Sequence, residues 1–181
     1  MRKRLDAGFT LLELLIVVAL IGIIAAIAIP GLLRARMSAN EAAAIGSLRV
    51  VNSAQQAYMA SCGNGFFASS LTILGEPAPT GDGFISPDLG SAVSVNKSGY
   101  RLDMAQGSEA ENAIRDGCNP SGTWDNLYSS YYASNQPLVG DLTGSRWFWT
   151  NSLGAIFVSQ ADDFDAEDVG NAAPSVGLPL Q

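Results

Sequence analysis

Histidine is absent from this chain of 181 residues, and cysteine occurs only twice, as Cys62 and Cys118. Without histidine, the usual Ser-His and Cys-His activation of a nucleophile is excluded. The Cys/His spacing of a zinc site is missing as well. We therefore expect a protein without enzymatic activity, bound metal or cofactor.

Positive charge is scarce outside the N-terminus. Lys97 is the only lysine after residue 8, and the chain beyond that point carries a formal charge of −9, against −7 for the whole sequence. Such an acidic exterior disfavours a general nucleic-acid-binding protein, which needs a basic surface. The first eight residues differ, with a side-chain balance of +2 that comes from Arg2, Lys3, Arg4 and Asp6.

Charge is also missing from the twenty residues 14–33. At 1.5 Å per helical residue, this run covers the ~30 Å of a bilayer's hydrocarbon. Because basic residues that flank a span stay in the cytoplasm, the N-terminus should be cytoplasmic and the chain after Leu33 exported. Arg34 and Arg36 run mildly against this rule, but the three basic residues at the N-terminus outweigh them.

A cleaved secretory signal is a weaker interpretation of the same run. The N-terminus is short and basic, as in a signal, but the apolar run exceeds the about 7–15 residues of a signal's apolar region, and no polar sequence follows a typical cleavage site. Small residues that offer a cut are nevertheless present, namely Ala25, Ala26 and Ala28.

A second helical pattern follows from about Arg34 to Ser61, where Gly63 and Gly65 provide the stop. Its apolar and small side chains recur at spacings of three and four, which predicts one buried stripe. The members are Met37, Ala42, Ile45, Leu48, Val51, Ala54, Tyr58 and Met59. The polar residues should largely face elsewhere, namely Arg36, Asn40, Glu41, Arg49, Gln55 and Gln56.

The two helical patterns join without a break and predict a helix of roughly fifty residues. Pro30 cannot donate its backbone hydrogen bond and crowds the preceding turn, so it should kink or loosen this helix. Gly22 and Gly31 lower the local helix propensity as well.

The rest of the chain predicts a small sheet. Residues 63–98 are rich in Gly, Pro and Ser, which favours a long surface connection with little regular structure. Strand patterns then occur at 99–104, 127–132, 146–150 and 155–159, and the last two flank a turn in which Gly154 is available for a positive φ. We expect about four antiparallel strands packed on the exported half of the helix, an α+β fold.

Three weaker patterns have two interpretations each. The two cysteines predict a disulfide in an oxidising compartment, and two unpaired core residues are the alternative. The acidic run 162–168 lacks the spacing and glycine of an EF-hand, so a solvated tail is favoured over a calcium site. The aromatic residues of 128–132 and 147–149 are interpreted as strand residues rather than as an adhesive patch.

Glu13 is the anomaly of the apolar run. A carboxylate near the centre of a bilayer costs about 2.5–3.5 kcal/mol on insertion scales, and such a group is a functional hypothesis by default. The alternative is that Glu13 lies near the cytoplasmic interface, where this cost is smaller.

A cut between Gly8 and Phe9 would give Glu13 a use. The cut creates a basic α-amino group at the start of the apolar helix. In a bundle of such helices, the amine of one copy can neutralise Glu13 of its neighbour, since an unpaired carboxylate is strongly disfavoured where water is excluded. Such pairing would set the axial register of a head-to-tail helical filament.

Residues 8–30, GFTLLELLIVVALIGIIAAIAIP, closely resemble the N-terminal region of type IV prepilins and of the pseudopilins of type II secretion. The resemblance implies that Gly8 precedes the prepilin-peptidase cut and that Phe9 becomes an N-methylated terminus. It also implies that Glu13 sets the register and that the helix unwinds near Pro30 on assembly. Beyond about residue 60 the resemblance is loose, and the family's frequent disulfide bounds a loop near the C-terminus, unlike a Cys62–Cys118 bond.

The resemblance implies a structural subunit of a type IV pilus-like filament, held by its N-terminal helix in the bacterial inner membrane before assembly. Its partners would be further copies, other pilins, membrane lipid, the processing enzyme and the assembly or secretion machinery. A pseudopilin of a periplasmic pseudopilus and an unprocessed single-pass binding protein are the alternatives. The expected divisions are a leader at 1–8, a membrane or filament-core helix at 9–33, an amphipathic helix at 34–61, a globular head at 62–161 and an acidic tail at 162–181.

Overall fold

The computed structural model describes residues 9–79, 81–108, 110–160 and 177–180. The chain divides into two compact units, Met1–Arg36 and Met37–Gln181. The first helix, α1 at Leu11–Ser61, contributes residues to both units.

The first unit is helical from Leu11 onward, and nearly all side chains of its described residues are exposed. Ala25 alone is half-buried among residues 9–36. An 18-residue window of α1 has a mean hydropathy of 3.0 and no buried residue, so by length and composition this helix can cross a membrane. Pro30 and Gly22 both lie inside α1, which remains helical at both positions.

The described residues of the second unit form two antiparallel sheets. A six-stranded sheet has the order β2-β3-β5-β6-β7-β8, and a two-stranded sheet pairs β1 with β4. The strands are β1 Phe67–Ala68, β2 Ser94–Lys97, β3 Tyr100–Gln106, β4 Leu127–Tyr128, β5 Tyr131–Pro137, β6 Trp147–Asn151, β7 Ile156–Ser159 and β8 Leu178–Pro179. The remaining helices are α2 Leu71–Gly75, α3 Pro87–Gly90 and a 3-10 turn at Trp124–Asn126.

The helical part of this unit packs along one stripe, as the spacing predicts. Leu48, Val51, Ala54 and Tyr58 are buried in the main core. Ala42, by contrast, is exposed. The other buried members of the stripe are Glu41, Ala44, Ser47 and Gln55.

The expectation that Glu41 and Gln55 face away from the core is wrong. Glu41 is 6% exposed and Gln55 is fully buried. Each lies seven residues from Leu48, on the same face of the helix. Their polar character misled the prediction, because a polar side chain can enter a core when hydrogen bonds satisfy it.

The prediction of an irregular surface connection over 63–98 is also wrong. This segment contains β1, α2, α3 and β2, and it supplies buried apolar side chains to the core. These are Phe67, Ala68, Leu71, Ile73, Leu74, Ile85, Leu89 and Val95. The Gly and Pro residues separate the short elements, and the apolar residues between them pack in the core.

The described residues form more strands than expected, with six in the main sheet and two in the small one in place of about four. The single strand predicted over 127–132 is two strands, β4 and β5, which belong to different sheets. The strand over 99–104 is confirmed as β3, and the hairpin is confirmed as β6 and β7. Gly154 in its turn has a φ of +76°, a conformation that other residues rarely adopt.

The second face of the six-stranded sheet carries its own small core. Trp149 and Phe157 are buried there and stack at 6.2 Å between ring centroids. The aromatic residues of 147–149 are strand residues, as predicted, but Phe148 and Trp149 are buried on opposite faces. Pro179 of β8 pairs with Phe157, which was not expected of the tail. The acidic run 162–168 lies outside the described residues.

Candidate functional site

The N-terminal end of α1 holds the residues that the sequence singles out. Thr10 precedes the first helical residue, and its hydroxyl oxygen accepts a hydrogen bond of 3.2 Å from the backbone N–H of Glu13. The sequence Thr10-Leu-Leu-Glu13 has the spacing of a capping box, in which a hydroxyl at the N-cap satisfies a free donor of the first turn. The helix start is therefore fixed locally, by residues after Gly8.

Glu13 lies in the first turn of this helix. A carboxylate there interacts favourably with the positive end of the helix dipole, which partly offsets its cost in an apolar segment. Among the described residues, no cation lies within ion-pair distance of it. Within the part of the chain that the structure describes, the carboxylate therefore has the helix end, but no cation, to offset its charge.

The other predicted residues fall in separate places. Phe9 is 72% exposed, next to the cap. Gly8 lies outside the described residues. Gly22 and Pro30 lie farther along α1, with open space around Gly22. The structure thus brings only Phe9, Thr10 and Glu13 together at one end of the helix.

Cys62 and Cys118 form a disulfide with a Cα–Cα distance of 4.8 Å. Cys62 directly follows α1, so the bond ties the end of the helix to the loop between β3 and β4. The two backbones are also hydrogen bonded, with the N–H of Cys118 donating to the carbonyl oxygen of Cys62 at 3.1 Å. The disulfide expected from the sequence is present and clamps the helix to the head.

A buried polar group supports this clamp. The hydroxyl of Tyr58 donates to the side-chain oxygen of Asn119 at 2.9 Å, and the amide nitrogen of Asn119 donates to the carbonyl oxygen of Ile73 at 2.6 Å. Burial, with the negative charge of Glu76, raises the pKa of Tyr58 to about 12. Tyr58 therefore remains a neutral donor at any physiological pH.

Glu41 attaches the head to the other end of the helical stripe. Its carboxylate accepts two hydrogen bonds from the guanidinium of Arg146, at 2.9 and 2.6 Å, and one from the backbone N–H of Ser145 at 3.0 Å. Burial raises the pKa of Glu41, but these bonds and the charge of Arg146 outweigh it and hold the pKa below its ordinary value. The ion pair stays formed at neutral pH.

Gln55 joins the middle of the stripe to the two-stranded sheet. Its amide nitrogen donates to the carbonyl oxygen of Ala68 at 2.7 Å, and its amide oxygen accepts from the N–H of Ala68 at 3.0 Å. The backbone N–H and carbonyl of Ala68, which is buried, are thereby both hydrogen bonded. The burial of Glu41 and Gln55 was not predicted, although each lies seven residues from Leu48 and so on the buried face of the helix.

The comparisons with known proteins agree with the site at the start of α1. Residues 3–29 match the family model described as the prokaryotic N-terminal methylation motif. The chain is 35% identical over 110 residues to the type IV major pilin protein PilA of Myxococcus xanthus (strain DK1622). That alignment covers 60% of this chain and 42% of the relative, so the chain spans less than half of its length. No solved structure matches the chain.

Proposed function

We propose that this chain is a member of the type IV pilin family, as the matches at its N-terminus and to a major pilin support, and that it is a structural subunit of a type IV pilus-like filament with no catalytic role of its own. One observation carries the proposal. The first unit is an apolar helix long enough to span a membrane, with outward-facing side chains and with Glu13 as its only charged side chain from Phe9 to Leu33. Such a surface needs an apolar environment that one copy of the chain does not supply.

The helix has two successive environments in this proposal. Before assembly it spans the bacterial inner membrane once, with the N-terminus in the cytoplasm, as the basic residues 2–4 favour. After assembly it packs with the helices of other copies in the filament core. The same aliphatic surface serves both states, because lipid tails and packed side chains are both apolar.

Processing connects the two states. A prepilin peptidase would cut between Gly8 and Phe9, and the new amine of Phe9 would be methylated. The cap at Thr10 and the helix start at Leu11 both lie after this cut. Removal of the first eight residues therefore leaves the helix end intact and places a basic amine beside it.

Glu13 would then pair with the amine of an adjoining copy. In the apolar filament core, an unpaired carboxylate and an unpaired amine are both strongly disfavoured, whereas the pair is tolerated. Each copy has one amine and one carboxylate, so every subunit donates at one contact and accepts at another. A head-to-tail contact that repeats without closure gives a helical filament.

Labelling of surface filaments tests this function. Antibodies raised against the head should decorate the filaments along their length in electron micrographs, and a strain that lacks the chain should show no label. Label confined to the cell envelope would contradict the pilus proposal and favour a pseudopilin. An unprocessed chain in the membrane, still starting at Met1, would favour an anchored binding protein.

Variants at Gly8 test the processing step separately. Gly8→Leu should block the cut, because a bulky side chain then stands directly before the scissile bond, and the chain should keep the mass of its leader. Gly8→Ala, the matched small replacement, should be cut more slowly but still mature. Full processing of the leucine variant would contradict the proposed cleavage site.

A further inference from the structure

The loop between β5 and β6 exposes three aliphatic side chains within five residues. Leu138, Val139 and Leu142 are 47%, 51% and 57% exposed. Single exposed aliphatic residues are ordinary on protein surfaces, whereas a cluster indicates contact with something apolar. We call residues 138–144 the aliphatic loop.

The aliphatic loop is held in shape by its own hydrogen bonds. The N–H of Thr143 donates to the carbonyl oxygen of Val139 at 3.0 Å, and the hydroxyl oxygen of Thr143 accepts from the N–H of Val139 at 3.1 Å. The N–H of Asp141 donates to the carbonyl oxygen of Gly144 at 3.0 Å. Because the loop is already ordered, little conformational entropy is lost when its side chains dock.

The aliphatic loop lies at the end of the second unit where the chain enters it. The side-chain amide of Asn40 donates to the carbonyl oxygen of Thr143 at 2.9 Å, and Glu41 binds Ser145 and Arg146 just after the loop. Asn40 is only seven residues after Leu33, the last residue of the uncharged run. Even a fully extended chain of seven residues spans at most about 25 Å.

We propose that the aliphatic loop docks on the exported face of the membrane in the unassembled subunit, with Leu138, Val139 and Leu142 at the boundary between headgroups and acyl chains. This inference rests on the proposed function, since it requires α1 to be inserted in that membrane. The exposed carboxylate of Asp141 lies in the same loop. A charged group next to apolar side chains fits the interface rather than the hydrocarbon interior.

Leu153 provides a matched control within the same unit. It lies in the hairpin turn between β6 and β7 and is 54% exposed. The neighbouring Gly154 accepts a hydrogen bond of 2.9 Å from Asn52, twelve helical residues beyond Asn40. At 1.5 Å per residue this places it about 18 Å farther along the helix from the aliphatic loop's attachment.

Photocrosslinking of the full chain in liposomes tests the inference. The photoreactive residue p-benzoylphenylalanine is placed at Leu142 in one variant and at Leu153 in the other. Both are reconstituted in vesicles of phosphatidylethanolamine and phosphatidylglycerol, irradiated, and analysed by intact mass. We expect at least five times more lipid adduct at position 142 than at position 153.

Alkaline carbonate extraction of the same vesicles distinguishes failure of loop docking from failure of α1 to insert in the membrane. An inserted chain with equal adduct at both positions, or with none at 142, overturns docking and leaves the proposed function standing. Crosslinks at 142 to another copy instead of lipid also overturn it. A chain that carbonate removes from the vesicles overturns the proposed function, and this inference with it.

Discussion

From Phe9 to Arg36 the chain exposes its aliphatic side chains, whereas the described part from Met37 onward buries many of them in a core closed by a disulfide. The first unit contains an apolar run in which Glu13 is the only charged side chain from Phe9 to Leu33, whereas polar and apolar residues are interspersed along the second unit. In the second unit the sheets cover one face of α1, and hydrogen bonds satisfy the polar groups on that face. The first unit has no such cover among the described residues, so its apolar surface is available to lipid and to other copies.

This contrast assigns separate tasks to the two units. Substitutions in the first unit should change assembly and leave the stability of the head unaltered. Substitutions in the second unit should change the free energy of unfolding and leave membrane insertion unaltered. Variants in each unit test that separation.

Glu13→Val should have the largest effect on filament assembly. Without the carboxylate, the amine of the neighbouring Phe9 is left unpaired in the apolar core. We expect normal membrane insertion but a filament yield reduced by about tenfold or more, the equivalent of ~1.4 kcal/mol or more per contact. The measurement is the amount of sheared filament relative to the membrane-bound subunit. Leu14→Val, which leaves the charge in place, is the control and should assemble normally.

Loss of the disulfide should strongly destabilise the head. Cys62 and Cys118 close a loop with a sequence separation of 56 residues. The chain-entropy model predicts about 4 kcal/mol for a loop of this size. Urea unfolding of Cys62→Ser/Cys118→Ser in detergent, followed by tryptophan fluorescence, measures the loss. Reduction of the wild type should reproduce it, and an unchanged unfolding midpoint would contradict the clamp.

Gln55→Met should cost somewhat less. The variant keeps a long side chain in the buried site but leaves the N–H and carbonyl of Ala68 without the partners they have now. Each unsatisfied buried group costs about 1–3 kcal/mol. Gln56→Met is the matched control, because Gln56 is exposed on the same helix. Equal unfolding free energies for the two variants would contradict the bridging role of Gln55.

Glu41→Gln should have the smallest effect and a defined pH dependence. Because the pKa of Glu41 is lowered in the folded protein, its contribution is fully present above the ordinary carboxyl pKa of about 4.3 and is lost as pH falls through the lowered value. We expect a cost of about 1–2 kcal/mol at pH 7, since Arg146 is partly exposed.

The difference between wild type and Glu41→Gln should therefore shrink as the pH is lowered toward 3, when urea unfolding is measured in parallel. Asp88→Asn is a suitable comparison. The pKa of the Asp88 carboxyl is lowered by hydrogen bonds from Lys97 and Ser86, but its side chain is 54% exposed. A pH-independent difference for Glu41→Gln would contradict the ion pair with Arg146.

The features that depend on local pattern were predictable from the sequence. The apolar run, the stop after Ser61, the stripe of Leu48, Val51 and Tyr58, and the hairpin around Gly154 each follow from spacing or turn chemistry. The disulfide followed from a count of two cysteines in a predicted exported region.

What was missed depends on distant partners. Burial of Glu41 is possible because Arg146, 105 positions later, donates hydrogen bonds to its carboxylate. Burial of Gln55 is possible because its side-chain amide is hydrogen bonded to the backbone of Ala68. The elements of 63–98 are short, and burial of residues such as Leu71 and Leu89 in the core stabilises them. No local pattern contains those contacts. The pairing of Phe9 with Glu13 remains a prediction, since it lies between two copies.

The central claim is that the apolar helix enters the filament with a freed amine at its start. Intact-mass and fragment-ion measurement of the chain in purified fibres tests this directly. We expect a chain that begins at Phe9, with or without one methyl group on its nitrogen. A chain in the fibres that still carries residues 1–8 would contradict it, because no charged amine would then be available to Glu13.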